Sequence, residues 1–195
     1  MISVIMPVYL GKYPLAAKNR EQKLIRAINS VINQTYKDWE LIIVCDGCAD
    51  AYNICKPFVN GKIKLFKIAK QPMWSGTPRN VGITKSKGGW ITYLDSDDFF
   101  GENHLMILSK QLGDKDWYFF DDIKFNNDWY ISHCFLEKSH CGTSNIIHKK
   151  IEYWENESKY SYDDWYFIRK LMEHNYQKIT APEYYVAHIP NEYDR

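Results

Sequence analysis

The sequence has no long hydrophobic run, almost no net charge and no recognisable leader. No apolar stretch approaches the roughly 18 residues that a membrane-spanning helix needs, and peripheral membrane association stays open. The formal net charge of +1 argues against a nucleic-acid partner. The opening residues, MISVIMPVY, carry neither the basic head nor the cleavage site of a secretion signal. These absences favour a cytoplasmic protein.

The pattern of the cysteines favours neither disulfides nor zinc. The chain has five Cys residues, an odd number, and without a secretion signal these are expected to be reduced thiols. Cys45 and Cys48 form a CxxC pair, but no second CxxC and no paired His follow at the spacing of a zinc finger. We therefore expect no zinc at this pair.

Aromatic side chains are abundant. The 15 Tyr, 9 Phe and 7 Trp make up 16% of the 195 residues. Such side chains supply core volume, and they also line sites that bind rings and sugars. The length fits one domain with a hydrophobic core of its own.

Strand-like and helix-like segments alternate through the first half of the chain. The runs ISVIMPVY, ELIIVC, KIKLFKI and WITYL have the composition and length of strands. Leu24, Ile28, Val31 and Ile32 form one apolar stripe of a helix, and Thr77-Pro78 predicts the start of a second helix. This alternation favours an open, largely parallel α/β sheet flanked by helices.

The second half of the chain is less regular. Residues 105–112 resemble a helix and residues 116–125 resemble a strand. Residues 139–150 are interpreted as a loop that leads into a strand or a helix. A further helix is predicted over residues 162–173, because its apolar residues fall on one face.

Polar residues stand where three predicted strands end. Tyr9 follows the first strand, Asp46 the second, and the acidic run Asp95–Asp98 the fourth. Ligands bind at the carboxyl ends of the strands in such sheets, so one cleft is expected to collect all three. Asp95, Asp97 and Asp98 would repel one another in a folded chain. A solvated turn and a bound divalent cation are the two explanations of this cluster that the residues leave open.

Six segments of the chain resemble one known family. SVIMPVY, NQTYKDWELIIVCDGCAD, TPRNVGI, GGWITYLDSDD, YDDWYFIRKL and YYVAH occur in the order and roughly the spacing of family 2 glycosyltransferases with the GT-A fold. The resemblance implies one GT-A domain over 1–195, with a donor half (1–105) and an acceptor half (106–195). It implies an inverting enzyme that moves a sugar from a nucleotide-diphosphate sugar, with a UDP-sugar favoured, to a hydroxyl of a glycan or lipid-linked acceptor. It also implies Mn²⁺ or Mg²⁺ as cofactor.

The resemblance assigns a donor site to residues near the strand ends. Pro7, Val8 and Tyr9 resemble the turn that packs around the nucleoside. Asp46 would accept a hydrogen bond from the base, and Arg79 would approach the nucleotide or its diphosphate. An Arg on a helix surface is the alternative for Arg79.

The acidic run takes its roles from the same resemblance. Asp97 would coordinate the cation, with His188 from the YYVAH segment completing the metal shell. Asp95 would face the ribose or support the metal shell, and Ser96 belongs to the same nucleotide-binding turn. Asp98 is expected to support the loop.

Asp164 is implied as the catalytic base, because it matches the aspartate of the family's Glu-Asp pair. Asp163 stands in the place of the glutamate. A structural alternative is open, because Ser161 and Asp164 also have the spacing of a capping box at a helix start.

The sequence departs from the family pattern at a few positions, and other functions stay open. Cys45 and Cys48 replace the first aspartate and the serine of an Asp-Asp-Gly-Ser box, and Val186 stands where the late motif has Arg. A sugar-nucleotide nucleotidyltransferase is one alternative, although Gly11-Lys12 is too little for its glycine-rich signature. A catalytically degenerate protein that only binds sugar nucleotides is the other.

Overall fold

A computed structural model describes residues 1–12, 18–72, 75–126, 128–154, 164–180 and 183–187. Its strands are β1 (Ile2–Val8), β2 (Trp39–Asp46), β3 (Ile63–Ile68), β4 (Trp90–Tyr93), β5 (Phe99–Phe100), β6 (Trp117–Phe119), β7 (Asp122–Asn126), β8 (Asp128–Ser132), β9 (Ile146–His148), β10 (Tyr176–Lys178) and β11 (Tyr184–Val186). Its helices are α1 (Arg20–Ile32), α2 (Ala49–Cys55), α3 (Gly76–Lys85), α4 (His104–Gln111) and α5 (Asp164–Leu171), with 3₁₀ turns at Lys56–Phe58 and Thr143–Asn145.

A seven-stranded mixed sheet forms the centre of the fold, in the order β10-β6-β9-β4-β1-β2-β3. β1 pairs in parallel with both β2 and β4, and β2 pairs in parallel with β3. β9 runs antiparallel to its neighbours β4 and β6. Helix α3 packs on β1 and β2, and the buried apolar residues of α1 belong to the same hydrophobic cluster as residues of β1 and β2. The predicted class, a mainly parallel sheet flanked by helices, is confirmed.

The core lies where the sequence is most continuously apolar. Every residue of β2 is buried, and β1 is buried except at Pro7. Continuous apolar runs are typical of parallel strands that helices cover on both faces. Leu24, Ile28 and Val31 of α1 are buried as the stripe predicts, whereas Ile32 at the helix end is 36% exposed.

The second half of the chain folds differently from its predicted pattern. The single strand expected over 116–125 is two strands, because the chain leaves the large sheet after β6 and enters a second sheet at β7. This four-stranded sheet has the order β5-β11-β7-β8. The sequence pattern did not predict the β7–β8 hairpin of this sheet. It also did not predict the short helix α2 in the first half of the chain. The loop over 139–150 does lead into a strand, β9.

Two histidines are fully buried. The His104 ring stacks on Phe100 with 4.2 Å between ring centroids, and neither ring nitrogen has a hydrogen-bond partner among the described residues. His148 Nε2 lies 2.8 Å from the hydroxyl of Tyr93. Burial lowers the pKa of His104 to about 3 and that of His148 to about 4. Both rings are therefore neutral in the folded protein at neutral pH.

These histidines predict a loss of stability in acid. Below pH ~6.5, the ordinary pKa of His, the unfolded chain binds protons that the folded chain excludes. The free energy of unfolding should fall from that pH down to the folded-state pKa values of about 3 and 4. His104→Leu should lose less melting temperature between pH 7 and pH 5 than the unchanged protein. His140→Gln, at an exposed His, is the control. An equal loss in His104→Leu and the unchanged protein would contradict the prediction.

Candidate active site

A cavity of about 450 Å³ lies between the end of β4, the loop before β9 and the start of α5. It lies beside the carboxyl end of β4, at the edge of the sheet where the sequence places the acidic run. The carboxylates in its lining are Asp95, Asp98, Asp122 and Asp164, and Lys124 is the lysine among the described lining residues. Since acids outnumber bases, the cavity favours cations and neutral polar groups over anions.

Arg79 of α3 connects two of these carboxylates. Its Nη2 donates a hydrogen bond to Asp95 Oδ1 at 3.0 Å, and its Nη1 lies 3.6 Å from Asp164 Oδ1. The guanidinium also lies over the ring of Trp154, 4.6 Å from the ring centroid. Arg79 is only 4% exposed. The alternative of an Arg on a helix surface is therefore wrong.

The surroundings of Arg79 keep its guanidinium protonated. Burial by itself would lower the pKa of Arg79, but the carboxylates of Asp95 and Asp164 outweigh that effect and raise it. A buried cation with two acidic neighbours holds both of them in fixed positions. One side chain thus joins the acidic run after β4 to the first residue of α5.

Asp164 faces the cavity from the start of α5. Its Oδ2 accepts a hydrogen bond from the Thr143 backbone N–H at 3.1 Å, and its side chain is 31% exposed. The loop comes this close because residue 142 is glycine: a Cβ there would lie 3.1 Å from Asp164 Oδ2. Ser161 and Asp163 lie outside the described residues. Asp164 is thus both the first residue of a helix and part of a polar cluster at the cavity.

Asp98 connects the acidic run to β11 through hydrogen bonds. It is 2% exposed, and it accepts hydrogen bonds from the Tyr184 hydroxyl at 3.1 Å and the Ala187 N–H at 2.7 Å. The same hydroxyl accepts a hydrogen bond from the Asp95 N–H at 3.1 Å. Burial, followed by the charges of Asp98 and Asp95, raises the pKa of Tyr184 well above its ordinary value. Asp98 therefore supports the loop, as expected.

Ser96 and Asp97 occupy the half-exposed turn between β4 and β5. Arg26 of α1 holds this turn in place, because its Nη2 donates a hydrogen bond to the Asp97 carbonyl oxygen at 2.7 Å. His188, the second predicted metal ligand, lies outside the described residues. Within the residues that are described, no group of three His, Cys, Asp or Glu side chains could hold a metal ion.

The predicted nucleoside end lies at the tips of β1 and β2. Asp46 is 5% exposed, with Oδ2 2.7 Å from Lys70 Nζ and Oδ1 accepting the Gln71 N–H at 2.7 Å. Lys70 Nζ also lies 4.4 Å from the centroid of the Tyr9 ring. Tyr9 and Asp46 are therefore brought together, as expected, but neither of them lines the cavity that contains Asp95 and Asp98. Lys70, which joins Tyr9 to Asp46, was missed because it follows a run of alternating Lys that resembles an exposed strand face.

The backbone has a special conformation at one of these two strand tips. Gly47 has φ of 70°, and a Cβ there would lie 2.6 Å from the Lys70 backbone nitrogen. A side chain would therefore be strained at this turn. Pro7 and Val8 end β1; Val8 is buried, and Pro7 is half-buried.

Comparisons with known proteins agree with this fold. The family model described as glycosyl transferase family 2 matches residues 3–170. The chain therefore belongs to glycosyltransferase family 2. It is similar to glycosyltransferase GlyA of Streptococcus pneumoniae, with 33% identity over 112 residues that cover 57% of this chain and 15% of GlyA.

Solved structures of low sequence identity share the fold. TarS of S. aureus in complex with UDP-GlcNAc superposes with a TM-score of 0.73 at 20% identity, covering 95% of this chain and 58% of that chain. The mannosyltransferase PcManGT of Pyrobaculum calidifontis, in complex with GDP-Man and Mn²⁺, has a TM-score of 0.66 at 16% identity and covers 97% and 57%. The fold is that of GT-A glycosyltransferases.

No helix in the described ranges is long and apolar enough to cross a bilayer. The described cysteines Cys45, Cys48, Cys55, Cys134 and Cys141 are buried free thiols, as the sequence predicts. Cys141 lies in the cavity lining. A hydrogen bond with Cys134, burial and the nearby charges of Asp164 and Asp122 raise its pKa, so this thiol is a poor nucleophile.

Proposed function

We propose that the chain is a single inverting, metal-dependent glycosyltransferase domain that takes a sugar from a UDP-sugar. Residues 1–105 would bind the donor, and residues 106–195 would receive a glycan or lipid-linked acceptor. The observation that carries this proposal is the Arg79 bridge, which holds Asp95 and Asp164 beside one cavity. The free thiols favour a cytoplasmic location.

The donor nucleotide would lie across the ends of β1, β2 and β4. Tyr9 offers a half-exposed ring against which a base can stack, while Pro7 and Val8 shape the turn. Asp46 would accept a hydrogen bond from the base, with Lys70 keeping its carboxylate in place. Asp95, Ser96 and Arg79 would contact the ribose and diphosphate. The UDP-GlcNAc complex of TarS supports UDP as the nucleotide.

The cation would be Mn²⁺ or Mg²⁺, bound by Asp97 and His188. Asp97 suits such an ion, because a carboxylate at a half-exposed strand-end turn supplies an oxygen ligand of the kind that these ions prefer. The Mn²⁺ complex of PcManGT supports a metal in this fold. When bound, a divalent cation stabilises the negative charge of a departing diphosphate.

Asp164 would act as the base that removes the proton from the acceptor hydroxyl. Thr143 N–H and Arg79 fix its carboxylate at the cavity wall, so its position does not depend on the acceptor. The hydroxyl oxygen would then attack the anomeric carbon on the face opposite the diphosphate. One displacement of this kind inverts the configuration at that carbon.

The proposal is tested by nucleotide binding. UDP with Mn²⁺ should raise the melting temperature of the protein, because a ligand that binds only the folded state stabilises it by mass action. Replacing Mn²⁺ with EDTA should remove most of this shift. Equal shifts with and without metal would contradict the cation site, and no shift at saturating UDP would contradict the donor site.

Asp46→Ala should weaken UDP binding by about 1.5–3 kcal/mol, the range for a hydrogen bond to a charged group. The substitution removes the acceptor for the base and releases Lys70. Calorimetry in the presence of Mn²⁺ measures the effect. Asp50→Ala, at an exposed acid in the first turn of α2, is the matched control and should bind UDP as the unchanged protein does. Unchanged UDP affinity in Asp46→Ala would remove Asp46 from the nucleoside site.

A further inference from the structure

Asp122, at the start of β7, is a buried carboxylate that faces the candidate active-site cavity. It is 2% exposed. Ser144 Oγ donates a hydrogen bond to its Oδ2 at 2.9 Å. Its Oδ1 accepts no hydrogen bond from any described residue, and Lys124 Nζ lies 3.9 Å from it. One buried oxygen of this carboxylate thus has no hydrogen bond although the residue lines a cavity.

Such an oxygen is costly unless a ligand uses it. A buried carboxylate oxygen without a hydrogen bond loses its hydration and gains little in return. At 3.9 Å Lys124 supplies charge but lies beyond hydrogen-bond distance. A group that donates a hydrogen bond from within the cavity would satisfy Oδ1. Neutral hydroxyl groups are suited to this role, because they donate a hydrogen bond without adding negative charge to an already acidic cavity.

Further lining residues favour a sugar as the source of that hydroxyl. Lys124 lies two residues after Asp122 on the same face of β7, so an acceptor and a donor stand side by side. Neighbouring sugar hydroxyls match such a pair, because each can both donate and accept. Trp165 adds an aromatic ring to the lining, and apolar ring surface is common where ligands bind.

We propose that Asp122 selects a neutral sugar in this cavity, by accepting a hydrogen bond from one hydroxyl of the transferred sugar. The inference rests on the proposed function. The same cavity is lined by Asp95, assigned to the nucleotide side, and by Asp164, assigned to the base. The transferred sugar must lie between those two groups. Asp122 is therefore a specificity-determining residue rather than a second base.

Because the cavity is acidic, the selection can be tested with both neutral and acidic sugars. A uronic acid brings a carboxylate into a lining that already contains four of them. The unchanged protein should therefore bind UDP-glucuronic acid less well than UDP-glucose. Asp122→Asn should weaken UDP-glucose and UDP-GlcNAc at least tenfold, the lower end for a hydrogen bond to a charged group. The same variant should bind UDP-glucuronic acid as well as before or better, and UDP should be unaffected.

The test is a calorimetric titration of UDP and these three UDP-sugars into the full chain with Mn²⁺. Asp128→Asn carries the same substitution at an exposed acid of the β7–β8 hairpin and should match the unchanged protein. Ser144→Ala provides a second variant should Asp122→Asn not fold. It removes the hydroxyl that orients Asp122, and it should weaken the neutral UDP-sugars while leaving UDP unchanged.

The outcomes separate this inference from the function on which it rests. Opposite effects on neutral and acidic UDP-sugars, with constant UDP affinity, support Asp122 as the selecting residue. Equal effects on all ligands, or none in either variant, overturn that assignment while the donor site stands. Failure of the unchanged protein to bind UDP overturns the donor site and this inference together.

Discussion

Asp164→Asn is expected to lower the turnover of sugar transfer by about 10² or more, in line with the contribution of a general base. Asparagine cannot take the proton of the acceptor hydroxyl, but it retains the shape of aspartate. Its side-chain oxygen can still accept the Thr143 N–H, so the loop beside the cavity should stay in place. Arg79 loses one carboxylate neighbour but keeps its 3.0 Å hydrogen bond to Asp95. Donor affinity should therefore change little.

The informative measurement is the transfer rate at saturating donor, together with the melting temperature. Asp163→Asn, at the neighbouring acid in the sequence, is the matched control and should retain most of its turnover. Asparagine also caps helices well, so a residue that only opens α5 would tolerate the change with a loss well under ~1 kcal/mol. A fully active Asp164→Asn would reduce Asp164 to such a residue.

Asp97→Ala is expected to abolish transfer and metal-dependent UDP binding while leaving the melting temperature unchanged or slightly higher. Asp97 lies on a half-exposed turn beside two further carboxylates, so removal of its own carboxylate relieves repulsion between like charges. The backbone of this turn is held by Arg26 through the Asp97 carbonyl, which alanine retains. Differential scanning fluorimetry with Mn²⁺, with and without UDP, measures the melting temperature and UDP binding. A transfer assay measures the loss of activity.

Asp98→Ala provides the contrast. Asp98 is buried and accepts hydrogen bonds from the Tyr184 hydroxyl and the Ala187 N–H. Its removal leaves buried donors unpaired, which costs about 1–3 kcal/mol each. This variant should therefore lose melting temperature without any ligand present. If Asp97→Ala unfolds as Asp98→Ala does, or binds UDP–Mn²⁺ as before, Asp97 is a structural residue.

Local pattern was enough to predict the four parallel strands of the first half. β1, β2 and β4 are short apolar runs and β3 alternates Lys with apolar residues, and all four end at one edge of the sheet because parallel strands point the same way. That geometry brings Tyr9 and Asp46 together without any knowledge of long-range contacts. The confirmed class follows from the same pattern.

The helices of the second half were predicted, but its strands could not be, because their pairing depends on contacts far apart in sequence. The run over residues 116–125 has no Gly or Pro where the chain changes sheets, so nothing local marks the break between β6 and β7. The strand β9 is three residues long and runs antiparallel between β4 and β6. No periodicity can emerge from so few residues.

The side-chain contacts within the site could not be predicted for the same reason. Arg79 was expected at the nucleotide, yet its contacts to Asp95 and Asp164 span 16 and 85 residues of sequence. Thr143 and Asp122 belong to no motif that we identified. A polar residue in an unremarkable segment gives no signal until the fold shows that it is buried and faces a cavity.

The central claim is metal-dependent inverting transfer from a UDP-sugar, and one measurement addresses it directly. A panel of α-linked UDP-sugars, including UDP-glucose and UDP-GlcNAc, is incubated with the protein, and proton NMR follows UDP release and the anomeric signal of the first sugar product. We predict UDP release that requires Mn²⁺ or Mg²⁺ and a product formed in the β configuration. UDP release that persists in EDTA, or a product formed first in the α configuration, would contradict the claim.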